Sequence, residues 1–165
     1  MAYWQLYYHI VWTTKYREPT ITPKHEEALF NFIRSKAYGL GSAVHALNGT
    51  GDHVHLVVSI PPKIAIARFV GQIKGVSSAR YNEEVRENFE PRFYWQESYG
   101  IFSFDKKRLP YLVEYVRRQK EHHQENRIIP ILEKDVENDD QQMAIAEDQI
   151  RYLTDYDQWF LSMKR

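Results

Sequence analysis

The sequence contains no cysteine among its 165 residues. That absence removes disulfides, thiolate-bound zinc and thiol nucleophiles together, leaving histidine, carboxylate, amide and hydroxyl groups as the available chemistry. It also fits a reducing, cytoplasmic setting. No run approaches the roughly 18 apolar residues that a membrane span needs. The opening MAYWQLYYHIVWTT lacks the basic start, apolar stretch and small-residue cleavage site of a secretory leader, so a soluble, unprocessed chain is expected. Net charge is missing as well, because 22 Lys and Arg balance 22 Asp and Glu, and such a total argues against a nucleic-acid binder. The total hides a division, however. Residues 1–130 carry 18 basic and 13 acidic side chains, whereas residues 131–165 carry 4 and 9. A moderately basic body suits a phosphate-bearing ligand.

What is present fits one globular domain, since 43% of the residues are apolar and 27% charged at a length typical of single domains. Aromatic residues reach 15%, with 12 Tyr and 4 Trp, a supply that can fill a core or stack on bases. Bulky and β-branched residues from Leu6 to Trp12 predict a first strand. Thr22-Pro23-Lys24-His25-Glu26 opens a helix whose apolar positions are Ala28, Leu29, Phe32 and Ile33, ending at Gly39 or Gly41. Residues 42–47 and 53–60 read as strands around the turn Asn48-Gly49-Thr50-Gly51-Asp52. Ile64, Ala67, Phe69, Val70, Ile73 and Val76 give a second amphipathic helix. Residues 93–104 then predict a fourth strand or strand pair, and 107–126 one long helix closed by Pro130. This order predicts an α+β sandwich, ferredoxin-like or RRM-like, with an antiparallel sheet and helices mainly on one face. Residues 1–130 form the expected domain. Residues 131–165 are expected to be an acidic, solvated linker followed by a C-terminal helix carrying Ile145, Ile150, Leu153, Trp159 and Phe160.

Two places concentrate chemistry. In Asp52-His53-Val54-His55-Leu56, strand alternation sends His53 and His55 to one face and Val54 and Leu56 to the other, so two imidazoles can share a divalent cation. A pair of surface histidines would give the same pattern, so a third ligand has to be found. On the last helix, Tyr111, Tyr115, Gln119 and His122 fall in one stripe, and either Gln119 or His122 could complete the site. An oxygen and two nitrogens with open positions suit Mg²⁺ or Mn²⁺ held together with a substrate phosphate.

The ordered set Asp52-His53-Val54-His55-Leu56, Pro61-Pro62-Lys63, Gly71-Gln72-Ile73-Lys74-Gly75, Trp95-Gln96-Glu97-Ser98-Tyr99-Gly100 and Tyr115-Val116-Arg117-Arg118-Gln119 closely resembles the single-tyrosine HUH transposases. These include small insertion-sequence transposases and REP-associated tyrosine transposases, and the resemblance spans residues 8–123. It implies His53, His55 and Gln119 as metal ligands and Tyr115 as nucleophile. It further implies single-stranded hairpin DNA as substrate, a 5′-phosphotyrosine intermediate, and a homodimer in which the tyrosine helix of one chain completes the site of the other. Tyr111 and His122 are accessory candidates. DNA contacts are expected from Lys15, Lys74, Arg80, Trp95 and Arg118, with Tyr16, Phe93 and Tyr94 as further stacking candidates. The acidic end would limit non-specific DNA contact.

Other readings use fewer of these residues. A non-catalytic nucleic-acid-binding module of RRM-like fold has no need of His53, His55, Tyr115 and Gln119 together. A domesticated transposase would keep the nicking chemistry. A metal hydrolase built from His53 and His55 with His45 or His122 would leave Tyr115 idle.

Overall fold

The computed structural model describes residues 2–86, 92–134 and 158. Four strands, β1 (Tyr7–Thr13), β2 (Ala43–Gly49), β3 (His53–Ser59) and β4 (Gly100–Phe104), form one antiparallel sheet in the order β2-β3-β1-β4. With α1 (Glu26–Gly39) after β1 and α2 (Ile66–Val85) after β3, the order is the expected βαββαβ. The crossover through α1 leads to β2, which pairs with β3, and that through α2 leads to β4, which pairs with β1, so β2 and β4 are the edges and β1 and β3 the central pair. Both are almost wholly buried.

Alternation on this central pair creates two unlike faces. Ile10, Trp12, Val54, Leu56 and Val58 face α1 and α2, where Leu29, Phe30, Ile33, Phe69, Val70 and Ile73 complete the main core. The opposite face carries His9, His53, His55 and Val57. It is covered by α3 (Leu109–Arg117), α4 (Gln119–Gln124) and a 3-10 turn at Pro130–Glu133, through a second core of Val57, Leu112, Tyr115, Val116, Ile129 and Leu132. The fold is therefore the expected α+β sandwich with an added tyrosine-bearing segment. Among the described residues no helix is long and apolar enough to cross a membrane. The expected C-terminal helix lies outside the described residues, apart from Gln158.

Two expectations are corrected. The fourth strand is shorter than residues 93–104, because the main chain before Gly100 meets the end of β1 only where Gln96 donates to Thr13 and Tyr94 accepts from Lys15, and is otherwise held by side chains. Asn82 bonds both the N–H and the carbonyl of Phe93, at 2.7 and 2.9 Å, and only Trp95 makes an isolated bridge, to Thr14. The Lys74 ammonium donates to the carbonyls of Gln96, Glu97 and Ser98 at 2.8, 3.0 and 2.7 Å. The helix expected over 107–126 is likewise divided, into a 3-10 turn at Lys106–Arg108, then α3, then α4, with Arg118 at φ −95° and ψ 19° between the last two.

Lys74 is only 9% exposed, and its position in the fold follows from these bonds. Replacing it with Met leaves three carbonyls without their charged donor and should destabilise the protein by about 2–4 kcal/mol in urea unfolding. Unchanged stability together with weakened DNA binding would return Lys74 to the DNA interface.

Candidate active site

Strand β3 brings His53 and His55 to the second face as its period-2 pattern requires, and the α3–α4 arm lies across them. The arm is fastened to β2 where the Asn48 side chain donates to the Arg117 carbonyl at 2.9 Å and accepts from Lys120 Nζ at 2.9 Å. The Tyr115 ring sits edge-on to His55 with centroids 6.2 Å apart. Tyr115, Gln119 and His55 are each 0% exposed.

These side chains meet around the carboxylate of Glu133. Its Oε1 accepts from the Tyr115 hydroxyl at 2.5 Å and from Gln119 Nε2 at 2.9 Å. Its Oε2 lies 3.0 Å from His55 Nε2, 3.3 Å from His123 Nε2 and 3.4 Å from His53 Nε2. Ligand atoms of His53, His55, His123 and Glu133 all lie within 4.8 Å of one another.

Charge follows from this packing. Burial alone would raise the Glu133 pKa, but hydrogen bonds with His53 and His55 hold the carboxyl far below its usual range. Burial pulls His53 down, yet its bonds to Asp52 and Glu133 push it up to about 9. His53 is bonded to Asp52 at 2.6 Å, and this bond lowers Asp52 to about 2. Burial lowers His55. Burial and then the Glu133 charge raise the Tyr115 phenol above its ordinary value. In this arrangement Tyr115 is a held hydroxyl, donating to Glu133 and accepting from the Ile129 N–H at 3.1 Å.

His9 was not foreseen. Its Nε2 lies 2.8 Å from His55 Nδ1, and its own Nδ1 is buried without a partner. Burial, then proximity to His55, lowers its pKa well below the usual value, so it is a neutral ring that fixes the orientation of His55. Register makes this contact: His55 pairs with Val11 and Val57 with His9, so His9 is the diagonal neighbour on the same face.

Of the expected site residues, His53, His55, Tyr115 and Gln119 converge. His122 instead stacks on the Tyr115 ring at 4.9 Å and 19°, and it is His123 that reaches His53, at 3.1 Å. The break at Arg118 accounts for the exchange, because it offsets α4 from the helical phase of α3. Tyr111 packs into the second core one turn before Tyr115. His45, the alternative third ligand, bonds Ser59 at 2.8 Å and stands outside the group.

The expected DNA contacts divide similarly. Lys74 is committed to the 96–98 carbonyls. Trp95 donates to Ser77 and packs edge-on against Trp12 and Phe93, so its ring serves the core. Arg80 is exposed on α2, in the helical layer across the sheet from the histidines. Arg118 makes a bidentate pair with Glu121 at 2.7 and 2.8 Å. Lys15 is exposed beyond the end of β1 that faces His53, with Nζ 5.4 Å from the ring of Tyr16 and 5.6 Å from that of Tyr94.

Sequence comparison decides the family, because residues 2–119 match the model described as "Transposase IS200 like". The chain belongs to the IS200-like transposase family. This transposase is 29% identical to the ISDra2 transposase TnpA of Deinococcus radiodurans over 119 residues, covering 70% of this chain and 85% of that one. It is 26% identical to the transposase for insertion sequence element IS200 of Salmonella typhimurium, covering 72% and 79%. In structure it is similar to a crystallised chain of Deinococcus radiodurans R1, with a TM-score of 0.58, 26% identity and coverage of 72% and 95%. It shares its fold with a REP-associated tyrosine transposase solved bound to a REP hairpin, with a TM-score of 0.53, 11% identity and coverage of 78% and 76%.

The donor set of this transposase fits a divalent cation. Imidazole nitrogens of His53, His55 and His123 meet carboxylate oxygen from Glu133, and the buried Gln119 Oε1 has no hydrogen-bond partner. Mn²⁺ should therefore raise thermal stability, by about 2.7 kcal/mol at 100 times its dissociation constant. The stabilisation should vanish in His55→Ala. Below about pH 9 a cation must displace the proton of His53, so affinity should fall about tenfold for each pH unit lowered. A Tm shift that His55→Ala retains would contradict this assignment.

Proposed function

We propose that this transposase cleaves and rejoins hairpin-bearing single-stranded DNA in the cytoplasm through a covalent 5′-phosphotyrosine on Tyr115. The observation that carries the reading is the convergence of one tyrosine, two strand-borne histidines and a glutamine on a single buried point. A non-catalytic module has no use for that combination. His53, His55 and Gln119 would hold Mg²⁺ or Mn²⁺, and the mixed nitrogen and oxygen donors suit Mn²⁺ at least as well as Mg²⁺. The ion, when bound, supplies Lewis-acid polarisation of a phosphate oxygen.

The chain's own residues perform the rest. The Tyr115 hydroxyl gives up its proton as its oxygen attacks phosphorus, the bond from phosphorus to the 3′ oxygen breaks, and that departing oxygen takes up a proton. The phosphodiester is thereby exchanged for a phosphotyrosine ester, so a later 3′-hydroxyl can reverse the step and join DNA without ATP. His9 keeps His55 oriented, and the His122 ring supports that of Tyr115. Lys15, between the exposed rings of Tyr16 and Tyr94 at the His53 end of the sheet, is the DNA contact that the geometry favours most, since cations interleaved with aromatics suit an unpaired strand. The α3–α4 arm lies over the histidines of its own chain here, and in the shared-site homodimer that belongs to this reading the two arms would exchange, each serving the histidines of the other chain.

Incubation with labelled hairpin DNA and Mn²⁺ should give a denaturant-resistant protein–DNA adduct that Tyr115→Phe abolishes while hairpin affinity is retained. Adduct formation that survives Tyr115→Phe would move the nucleophile elsewhere. Mixing Tyr115→Phe with His55→Ala chains should restore the adduct by pairing an intact tyrosine with intact histidines. A mixture as inactive as its components would contradict the shared site.

A further inference from the structure

Glu133 occupies the place that the proposed chemistry needs. Its two oxygens bond the hydroxyl that would attack and lie against the histidines that would hold the cation, the positions a phosphate's non-bridging oxygens would take. The Tyr115 hydroxyl is already engaged, donating its proton to Glu133 and accepting from the Ile129 N–H. Tyr115 and His55 are fully buried, leaving no approach for a polynucleotide.

The segment that carries Glu133 is built as a closure. After α4 it runs as extended chain and one short 3-10 turn, belonging to no sheet or long helix. It is anchored by Ile129 and Leu132, which join Leu112, Tyr115 and Val116 in the second core. Its main chain also lies so close to the start of β4 that a Cβ placed on Gly100 would collide with the Lys134 carbonyl oxygen. Gly100 thus accommodates the segment without touching Tyr115, the histidines or Gln119 through any side chain.

We propose that residues 129–134 form an autoinhibitory strap in which Glu133 stands in for the DNA phosphate, and that the strap leaves the site when hairpin-bearing single-stranded DNA binds. This inference rests on the cleavage reading above and adds its regulation. In the strapped state a carboxylate satisfies the buried polar groups. In the open state the DNA phosphate, with the cation, satisfies them instead. Glu133 on this account is a competitor of substrate, and its loss should quicken the reaction.

Two variants and one direct readout test the strap. Glu133→Ala removes the competing anion, and Gly100→Ala displaces the strap from a position outside the site, where the nearest atoms to the added methyl group are the Lys134 carbonyl and then Val11 Cγ1. If the open state is populated at about 10%, each variant should raise the initial rate of adduct formation by up to about tenfold. A lower rate in Glu133→Ala, with the thermal transition intact, would overturn the proposal and make Glu133 a working ligand. Unchanged rates in both variants would overturn it as well. Independently of cleavage, hydrogen exchange on Tyr115→Phe should show the Leu132 amide, bonded to the Ile129 carbonyl at 2.9 Å, losing protection when hairpin DNA is added. Protection that persists in the DNA complex would refute strap release. If no chain forms an adduct, the cleavage reading fails, while the exchange experiment still decides whether DNA displaces the strap.

Discussion

A buried pocket lined by three imidazoles, a phenol and a carboxamide needs an anion, and in this transposase the anion is Glu133. Without it, the donors of Tyr115 and Gln119 would lose the acceptor they share, and a protonated His53 would lack one of its two carboxylate partners. The carboxylate also defines the geometry of the second face. It holds α3 through Tyr115, α4 through Gln119 and His123, and β3 through His53 and His55. The consecutive helices α3 and α4 and the distant strand β3 are thereby fixed around a pair of oxygen atoms.

The two faces of the sheet divide the labour of the molecule. One is closed by α1 and α2 over branched aliphatic and aromatic residues, and Lys74 and Asn82 of α2 reach past it to secure the chain before β4. The other is closed only by a broken helical arm and a short turn, with a smaller apolar core around a polar centre. The larger apolar core lies on the first face and the smaller one on the second. The polar groups are prepositioned as far back as His9, whose neutral ring orients His55.

Much of this was legible in the sequence, for identifiable reasons. The βαββαβ order followed from local periodicity and turn residues. His53 and His55 shared a face because a strand alternates, and Tyr115 and Gln119 shared a stripe because they stand one turn apart. Pattern and structure diverge where the surrounding chain adds a partner or a break that local spacing does not show. His123 replaces His122 beside His53 because the helix breaks at Arg118. Lys74 reads as a cation for phosphate, but the segment 22–24 residues further on supplies three carbonyls. Glu133 reads as the first residue of a solvated acidic run. Its signal was the apolar Ile128-Ile129-Pro130-Ile131-Leu132 just before it, a sequence that anchors a carboxylate against a buried face. His9 was findable only once β1 and β3 were paired.

The central claim is that Tyr115 becomes covalently attached to DNA, and peptide mapping of the adduct tests it most directly. Trypsin cleavage after Arg108 and Arg117 releases the segment Leu109–Arg117, which contains both Tyr111 and Tyr115. After reaction with hairpin DNA and nuclease trimming, fragmentation of this peptide should place the remaining phosphonucleotide on Tyr115. A nucleotide on Tyr111, or an unmodified peptide alongside cleaved DNA, would contradict the account.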